Sequence, residues 1–63
     1  MKSIGVSGLG AMGAPMARNF HKHGLLHAVW NRSPQRAEAV AADTGARIAK
    51  SPADLARDCD FIV

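Results

Sequence analysis

The sequence lacks the residues with which very small proteins usually crosslink themselves. It has 63 residues and one cysteine, Cys59, so an internal disulfide is excluded. The histidines His21, His23 and His27 have no partner ligands at zinc-site spacing, so no metal is expected. A chain this short buries only about 60% of the surface that its unfolded form exposes. Because residues 60–63 also resemble a buried strand that has just begun, we expect the chain to be the first part of a longer domain.

Long apolar runs, basic runs and aromatic clusters are also missing. No apolar run approaches the 18 residues or so that a membrane helix needs, so no membrane is expected. Residues 1–3 lead directly into a short strand, which does not resemble a secretory signal. With the lone cysteine, these features predict a cytoplasmic protein. The net charge of +3 is spread along the chain without interleaved aromatics, so no nucleic-acid partner is expected.

What the sequence does contain is a regular alternation of short strands and helices. The pattern predicts strands over residues 2–7, 26–30, 47–49 and 60–63, with helices over residues 12–23, 34–44 and 52–57 between them. Gly24 suits the left-handed position that ends the first helix. Ser33-Pro34 and Ser51-Pro52 each predict an N-cap followed by proline, and Asp54 completes a predicted capping box. Alternation at this spacing predicts an α/β fold with a parallel sheet.

The apolar positions predict which helix faces are buried. In the first helix an apolar stripe recurs every four residues, and in the second a stripe of small and branched residues recurs at helical spacing. These predicted buried positions are Met12, Met16 and Phe20 in the first helix, and Ala37, Val40 and Ala41 in the second.

The most informative motif is the G-x-G-x-x-G pattern of residues 8–13, which we call the glycine loop. It directly follows a predicted strand and opens a predicted helix, which is the arrangement of dinucleotide-binding folds. Gly8 allows the sharp turn, Gly10 lets a pyrophosphate approach the backbone, and Gly13 lets the helix pack closely on the strand. The helix N-terminus then offers free N–H groups to the phosphates. The alternative is a glycine-rich turn needed only for packing.

We therefore interpret residues 1–63 as the N-terminal part of an NAD(P)-binding, Rossmann-type domain with a doubly wound parallel sheet. The rest of that domain is expected to lie beyond this chain. The candidate cofactor-binding residues in the glycine loop are Gly8, Leu9, Gly10, Ala11, Met12 and Gly13.

A second candidate site follows the second predicted strand, at Asn31, Arg32 and Ser33, which we call the corner segment. NAD-specific folds usually place an acidic residue here for the ribose 2′-hydroxyl. Asn31 carries no charge that would repel a 2′-phosphate, and Arg32 can pair with one. The Ser33 hydroxyl adds a donor, and Arg36 lies one turn later. The corner segment favours NADP, while dual use, NAD preference and a merely solvated arginine stay open.

Other conspicuous residues have simpler interpretations. Trp30, at the end of a strand, is expected in the core rather than against an adenine. Met12 and Met16 are expected to pack the helix, although the Met12 N–H also belongs to the glycine loop. The histidines are expected to be solvated, and Cys59 to be buried or half-buried.

Two motifs together resemble one enzyme family. Residues 8–20, GLGAMGAPMARNF, are similar to the G-L-G-x-M-G-x-P-M-A-x-N-L signature of the β-hydroxyacid dehydrogenases, the 3-hydroxyisobutyrate dehydrogenase group. Phe20 replaces the final leucine. Residues 30–33, WNRS, resemble the W-N-R-S/T of the NADPH-preferring branch, which includes glyoxylate and succinic semialdehyde reductases. Ser7 departs from the family, whose members usually carry an apolar residue before the first glycine.

The resemblance covers residues 4–63 and implies a two-domain enzyme, with a helical substrate domain after the cofactor domain. It implies hydride transfer between NADP, or alternatively NAD, and a small β-hydroxy acid or its aldehyde. The family's acid–base lysine and its carboxylate-binding segment would lie beyond Val63, so no catalytic residue is assigned here. The resemblance further implies a homo-oligomer in the full-length form. An imine reductase-like enzyme and a non-catalytic NADP-binding module remain alternatives.

Overall fold

The computed structural model describes residues 3–63, and in that range strands and helices alternate. The strands are β1 (Ile4–Ser7), β2 (Leu26–Trp30), β3 (Arg47–Ile48) and β4 (Phe61–Ile62). The helices are α1 (Gly13–Lys22), α2 (Pro34–Thr44) and α3 (Pro52–Asp58). The expected start of the first strand at Lys2 lies outside the described residues. Every other helix and strand lies within one or two residues of its predicted bounds.

The four strands of the described range form one parallel sheet in the order β3-β2-β1-β4. The chain passes from β1 outward through β2 to β3, then returns across the sheet to place β4 on the other side of β1. This reversal next to β1 is the topological switch point of doubly wound sheets, where ligands bind beyond the carboxyl ends of the strands. The predicted Rossmann-type α/β fold is confirmed.

Two apolar clusters, one on each face of the sheet, form the core. Alternate residues of a strand point to opposite faces, so neighbours in β2 belong to different clusters. Val29 packs with residues of α1 and α2, whereas Ala28 packs with Leu55 of α3. Trp30 packs against the α3 cluster, as expected of a core residue, and Cys59 is half-buried beside it. Burial raises the pKa of the Cys59 thiol.

The predicted apolar stripe of α1 is wrong at its first residue. Met12 lies just before the helix and is 76% exposed, and Met16 is only half-buried. The fully buried residue of α1 is Ala17, with Ala14 and Phe20 packed beside it. Small side chains let the helix approach the sheet closely, so the alanines form the contact face. In α2 the predicted face is confirmed, because Ala37 and Val40 are buried and Ala41 is half-buried.

The predicted capping positions are correct, but the side-chain bonds differ in detail. Ser51 accepts the N–H of Asp54 at 3.0 Å, while the Asp54 carboxylate accepts the N–H of Lys50 rather than that of Ser51. Ser33 occupies the N-cap of α2, yet its hydroxyl makes no capping bond. Both helix-ending glycines, Gly24 and Gly45, are left-handed, at φ of +73° and +76°.

Candidate functional site

The glycine loop lies at the carboxyl edge of the sheet, between the end of β1 and the start of α1. Gly8 turns the chain at a φ of +93°, a conformation that side chains with a Cβ rarely adopt. Its N–H donates to the carbonyl of Trp30 at 2.9 Å, which extends the pairing of β1 with β2. The turn therefore occurs directly beside the end of β2.

Gly13 allows α1 to start against the loop that precedes it. A Cβ at Gly13 would overlap the carbonyl oxygen of Gly8 and come within 2.8 Å of its carbonyl carbon. No such conflict exists at Gly10, where an added Cβ would meet nothing within 4 Å. The two glycines thus serve different purposes: Gly13 is needed for the fold, whereas Gly10 leaves open space above the loop, as a close-approaching ligand requires.

The start of α1 leaves backbone donors unused. Met12 is the N-cap and makes no side-chain capping bond. Within residues 3–63, the N–H groups of Gly10, Ala11, Met12 and Gly13 donate to no other group; the first paired one is that of Ala14, to Gly10 at 3.2 Å. The first turn also contains no acidic residue. Free N–H groups and the positive end of the helix dipole together make a site for an anion such as a phosphate.

Leu9 differs from the other loop residues, because neither its side chain nor its N–H is available to a ligand. The side chain is 1% exposed and belongs to the core cluster beneath α1 and α2. The N–H donates to Oδ1 of Asn31 at 2.7 Å. Leu9, which the sequence places among the candidate cofactor-binding residues, therefore contributes anchorage to the loop in this structure.

Asn31 joins the glycine loop to the corner segment. Its Oδ1 accepts from Leu9, and its Nδ2 donates to the carbonyl of Ser33 at 3.1 Å. The sequence suggested only that an uncharged residue here tolerates a 2′-phosphate. The bridge to the loop was missed, although an amide, which has both a donor and an acceptor at the end of a strand, is the side chain suited to it.

The rest of the corner segment offers cationic and polar groups to solvent. Arg32 and Arg36 are exposed, and in the described part of the chain neither side chain makes a hydrogen bond or an ion pair. The Ser33 hydroxyl donates to Oε1 of Gln35 at 2.9 Å. The first turn of α2 holds no acidic residue. The positive charge of the corner segment, on Arg32, therefore has no ion-pair partner within residues 3–63.

Two acidic residues of α3, Asp54 and Asp58, form a cluster of ion pairs. His27, near the start of β2, and Arg47, at the start of β3, both contact Asp58 at 2.9 Å. Arg47 also pairs with Asp54 at 3.2 Å. The starts of parallel strands lie at the edge opposite their carboxyl ends, so His27 and Arg47 are remote from the glycine loop. The histidines are exposed, as expected, although His27 is paired.

Residues 3–63 contain neither a cluster of metal ligands nor a membrane-spanning helix. No group of three or more His, Cys, Asp or Glu side chains is placed to hold a metal ion. No helix in that range is long and apolar enough to cross a membrane.

Comparison with known proteins places this site in a family. Residues 3–63 match the family described as the NAD binding domain of 6-phosphogluconate dehydrogenase. Over 59 residues, 94% of this chain, the sequence is 40% identical to glyoxylate/succinic semialdehyde reductase 2 of Arabidopsis thaliana. It is 38% identical over 60 residues to human mitochondrial 3-hydroxyisobutyrate dehydrogenase and 37% identical to the human cytokine-like nuclear factor N-PAC. The chain spans 16%, 18% and 11% of the lengths of these relatives, respectively.

Solved structures share the fold and nearly the whole length of this chain. An imine reductase from Pseudomonas sp. superposes on 97% of the chain with a TM-score of 0.86 and 39% identity. An imine reductase variant from Myxococcus stipitatus in complex with NAD+ gives 0.88 at 29% identity. A reductive aminase from Aspergillus terreus, in complex with NADPH4, cyclohexanone and allyl amine, gives 0.82 at 31% identity. The last two matches each include 98% of this chain. The chain covers 21–22% of the length of these three proteins.

The family match and the nicotinamide complexes of the neighbours agree with the unpaired N–H groups at the start of α1. These comparisons support the binding of a nicotinamide cofactor, and the chain belongs to the family described as the NAD binding domain of 6-phosphogluconate dehydrogenase.

Proposed function

We propose that this chain is the cofactor-binding part of an NADP-preferring oxidoreductase. In this proposal residues 1–63 are the N-terminal part of a Rossmann-type domain, and a helical substrate domain follows. The enzyme transfers a hydride between the nicotinamide and a small β-hydroxy acid or its aldehyde. The observation that carries the proposal concerns the starts of α1 and α2, where neither first turn contains an acidic residue. A hydrogen bond between Leu9 and Asn31 joins the glycine loop before α1 to the corner segment before α2.

The residues of this chain bind and orient the cofactor. The free N–H groups of Gly10, Ala11, Met12 and Gly13 would donate to the pyrophosphate, and the open space at Gly10 would admit it. Gly8 and Leu9 hold the loop in place. The bound dinucleotide supplies the hydride chemistry. No residue of this chain is proposed to be catalytic.

Arg32 and Ser33 support the choice of NADP over NAD. Arg32 is exposed and unpaired within residues 3–63, so binding a 2′-phosphate would break no existing ion pair. The Ser33 hydroxyl is held by Gln35 and could turn toward the phosphate. A hydrogen bond to a charged group contributes about 1.5–3 kcal/mol, which is roughly ten- to a hundredfold in affinity.

The experiment that tests this choice compares Arg32→Ala with Arg57→Ala in the full-length protein. Arg57 is an exposed arginine of α3, on the other face of the sheet, and serves as the matched control. We expect Arg32→Ala to weaken NADPH binding by about ten- to a hundredfold and to change NADH binding little. Dissociation constants from fluorescence titration measure both. A wild type without NADPH preference, or an Arg32→Ala variant that keeps it, would contradict the proposal.

An imine reductase-like activity is the second candidate, because the solved structures above are imine reductases and a reductive aminase with up to 39% identity to this chain. The 40% identity to a glyoxylate/succinic semialdehyde reductase favours the hydroxy acid reaction instead. Steady-state assays of the full-length protein with succinic semialdehyde and with a cyclic imine, each with NADPH, separate the two. Turnover of the imine alone would replace the first candidate.

A non-catalytic NADP-binding module is the third candidate, favoured by the 37% identity to a nuclear factor. Cofactor binding without turnover of either substrate would support it.

We also propose that the full-length protein is a cytoplasmic homo-oligomer that binds a small-molecule substrate and neither nucleic acid nor membrane. Light scattering of the purified protein and fractionation of cells test the assembly and the location.

A further inference from the structure

The side chain of Asn31 has both of its polar groups committed inside the chain. Leu9 N–H can only donate and the Ser33 carbonyl can only accept, so these two partners fix the orientation of the amide. The oxygen must face the glycine loop and the nitrogen must face the corner segment. The bond to Ser33 uses one of the two Nδ2 hydrogens, and the two bonds together fix the direction of the other.

The bond to Leu9 reaches the loop at a residue whose side chain is anchored in the core. The Leu9 side chain is in the core, and its neighbour Gly8 is bonded to Trp30 at 2.9 Å. The bond from Asn31 therefore holds the loop at the residue between Gly8 and Gly10. The loop donors that remain free follow immediately along the chain. Their direction depends on this anchor.

We propose that Asn31 is a positioning residue: its amide locks the glycine loop onto the corner segment, so that the pyrophosphate and ribose sites form one preorganised unit. Asn31 then acts through Leu9 and Ser33 and does not bind the 2′-phosphate with its side chain. This inference rests on the proposed function, because it concerns the same dinucleotide site. It assigns discrimination of the 2′-phosphate to Arg32 and affinity for the shared part of the cofactor to Asn31.

The two roles have different signatures in binding. A residue that contacts the 2′-phosphate changes the ratio of NADPH to NADH affinity. A residue that positions the pyrophosphate loop weakens both cofactors by the same factor, because both contain the pyrophosphate. Asn31→Ala removes the acceptor of Leu9 N–H and the donor to Ser33, so we expect about a tenfold loss for each cofactor.

Asn31→Asp separates the two bonds of the amide. A carboxylate can still accept the Leu9 N–H, but it cannot donate to the Ser33 carbonyl and it repels a 2′-phosphate. We expect Asn31→Asp to bind NADH more tightly than Asn31→Ala does, while its NADPH affinity stays low. Asn19→Ala, at an exposed asparagine of α1, is the matched control and should leave both affinities as in the wild type.

The experiment measures NADPH and NADH dissociation constants for the full-length wild type and the three variants, with amide hydrogen exchange of residues 8–13. The proposal is supported if Asn31→Ala weakens the binding of both cofactors by the same factor and Asn31→Asp recovers affinity for NADH. It also requires that amide exchange of residues 8–13 becomes faster in Asn31→Ala alone. A selective loss of NADPH affinity in Asn31→Ala, or no loss of affinity for either cofactor, overturns the proposal.

If Asn31→Ala does not fold, the NADH affinity and the loop exchange of Asn31→Asp decide. Wild-type values of both support the anchor, whereas lower NADH affinity together with faster loop exchange overturns it. If the wild type binds neither cofactor, the proposed function itself is wrong.

Discussion

The starts of α1 and α3 show two opposite ways to begin a helix. At α3 the hydroxyl of Ser51 accepts the Asp54 N–H, and the Asp54 carboxylate accepts the Lys50 N–H at 2.9 Å. At α1 no side chain caps the helix, and the N–H groups around Met12 donate to nothing within residues 3–63. The α3 start is satisfied from within its own segment, whereas the α1 start is held from outside, by Asn31.

This difference distinguishes a structural helix start from one prepared for a ligand. Unpaired backbone donors usually find a partner in folded proteins, so a start that leaves several free is costly unless water or a ligand serves them. The α2 start lies between the two cases: it has the serine and proline of α3, but its serine hydroxyl bonds to Gln35 instead of capping. The two starts without a cap are the ones that flank the proposed cofactor site.

The largest effect is expected where the α1 start depends on having no side chain. Gly13→Ala places a Cβ against the Gly8 carbonyl, so we expect a loss of roughly 1–3 kcal/mol in unfolding free energy together with loss of cofactor binding. Gly10→Ala is the matched control. Its Cβ meets nothing within 4 Å and its φ is not positive, so the fold should tolerate it while NADPH affinity falls.

Thermal unfolding and NADPH titration of the two variants check this pair. If Gly13→Ala melted like the wild type, the loop could move away from the helix, and the close approach would not be essential. If Gly10→Ala bound NADPH like the wild type, the open space above the loop would not be where the pyrophosphate passes.

A smaller effect is expected from removing the cap that distinguishes α3. Ser51→Ala leaves the Asp54 N–H without its acceptor and should cost about 1 kcal/mol of unfolding free energy. Ser33→Ala removes a hydroxyl that does not cap, so its cost should stay within about 0.5 kcal/mol. Urea unfolding measures both. Equal losses would mean that the two Ser-Pro starts are alike, contrary to the structure.

The smallest effect concerns pH and the acidic residues of α3. The bond to His27 is the main cause that lowers the pKa of Asp58, and the Lys50 N–H is the main cause for Asp54. Because folding lowers both pKa values, their stabilisation is present above the ordinary pKa of 3.8 and is lost as the pH falls below it. Both groups are solvent-accessible, so the effect should be small and weakened by salt.

Urea unfolding at pH 6 and at pH 3 checks this, with Asp54→Asn/Asp58→Asn compared with Glu38→Gln on α2. The double variant should lose less stability on acidification than the Glu38→Gln control. An unchanged pH dependence would show that the cluster contributes nothing to folding.

Most of the fold could be predicted because its signals are local. Residues a few positions apart predict the bounds of β2, the proline-led starts of α2 and α3, and the left-handed Gly24. Predicted strand 47–49 is shorter in the structure, although the Ala49 N–H still donates to Val29 at 2.8 Å. The stripe of α1 was wrong at Met12, because periodicity does not show that the helix starts one residue later and packs through alanine.

Gly5 was not foreseen at all, because its role depends on a partner far along the chain. A Cβ there would lie 2.8 Å from the Cys59 Sγ and from Leu55 Cδ1. The absence of a side chain at Gly5 lets α3 lie closely on β1. Strand alternation indicates which face Gly5 takes, but not which helix would cover it.

The cofactor site divides in the same way between local sequence and tertiary contact. The spacing of Gly8, Gly10 and Gly13 between a strand and a helix was sufficient to predict the loop, its turn and the close helix, because each is a property of adjacent backbone. That Leu9 anchors the loop and Asn31 holds it, 22 positions apart in the chain, was decided only when parallel pairing brought the ends of β1 and β2 side by side. A hydrogen bond requires that proximity, and proximity between distant residues is created by the sheet.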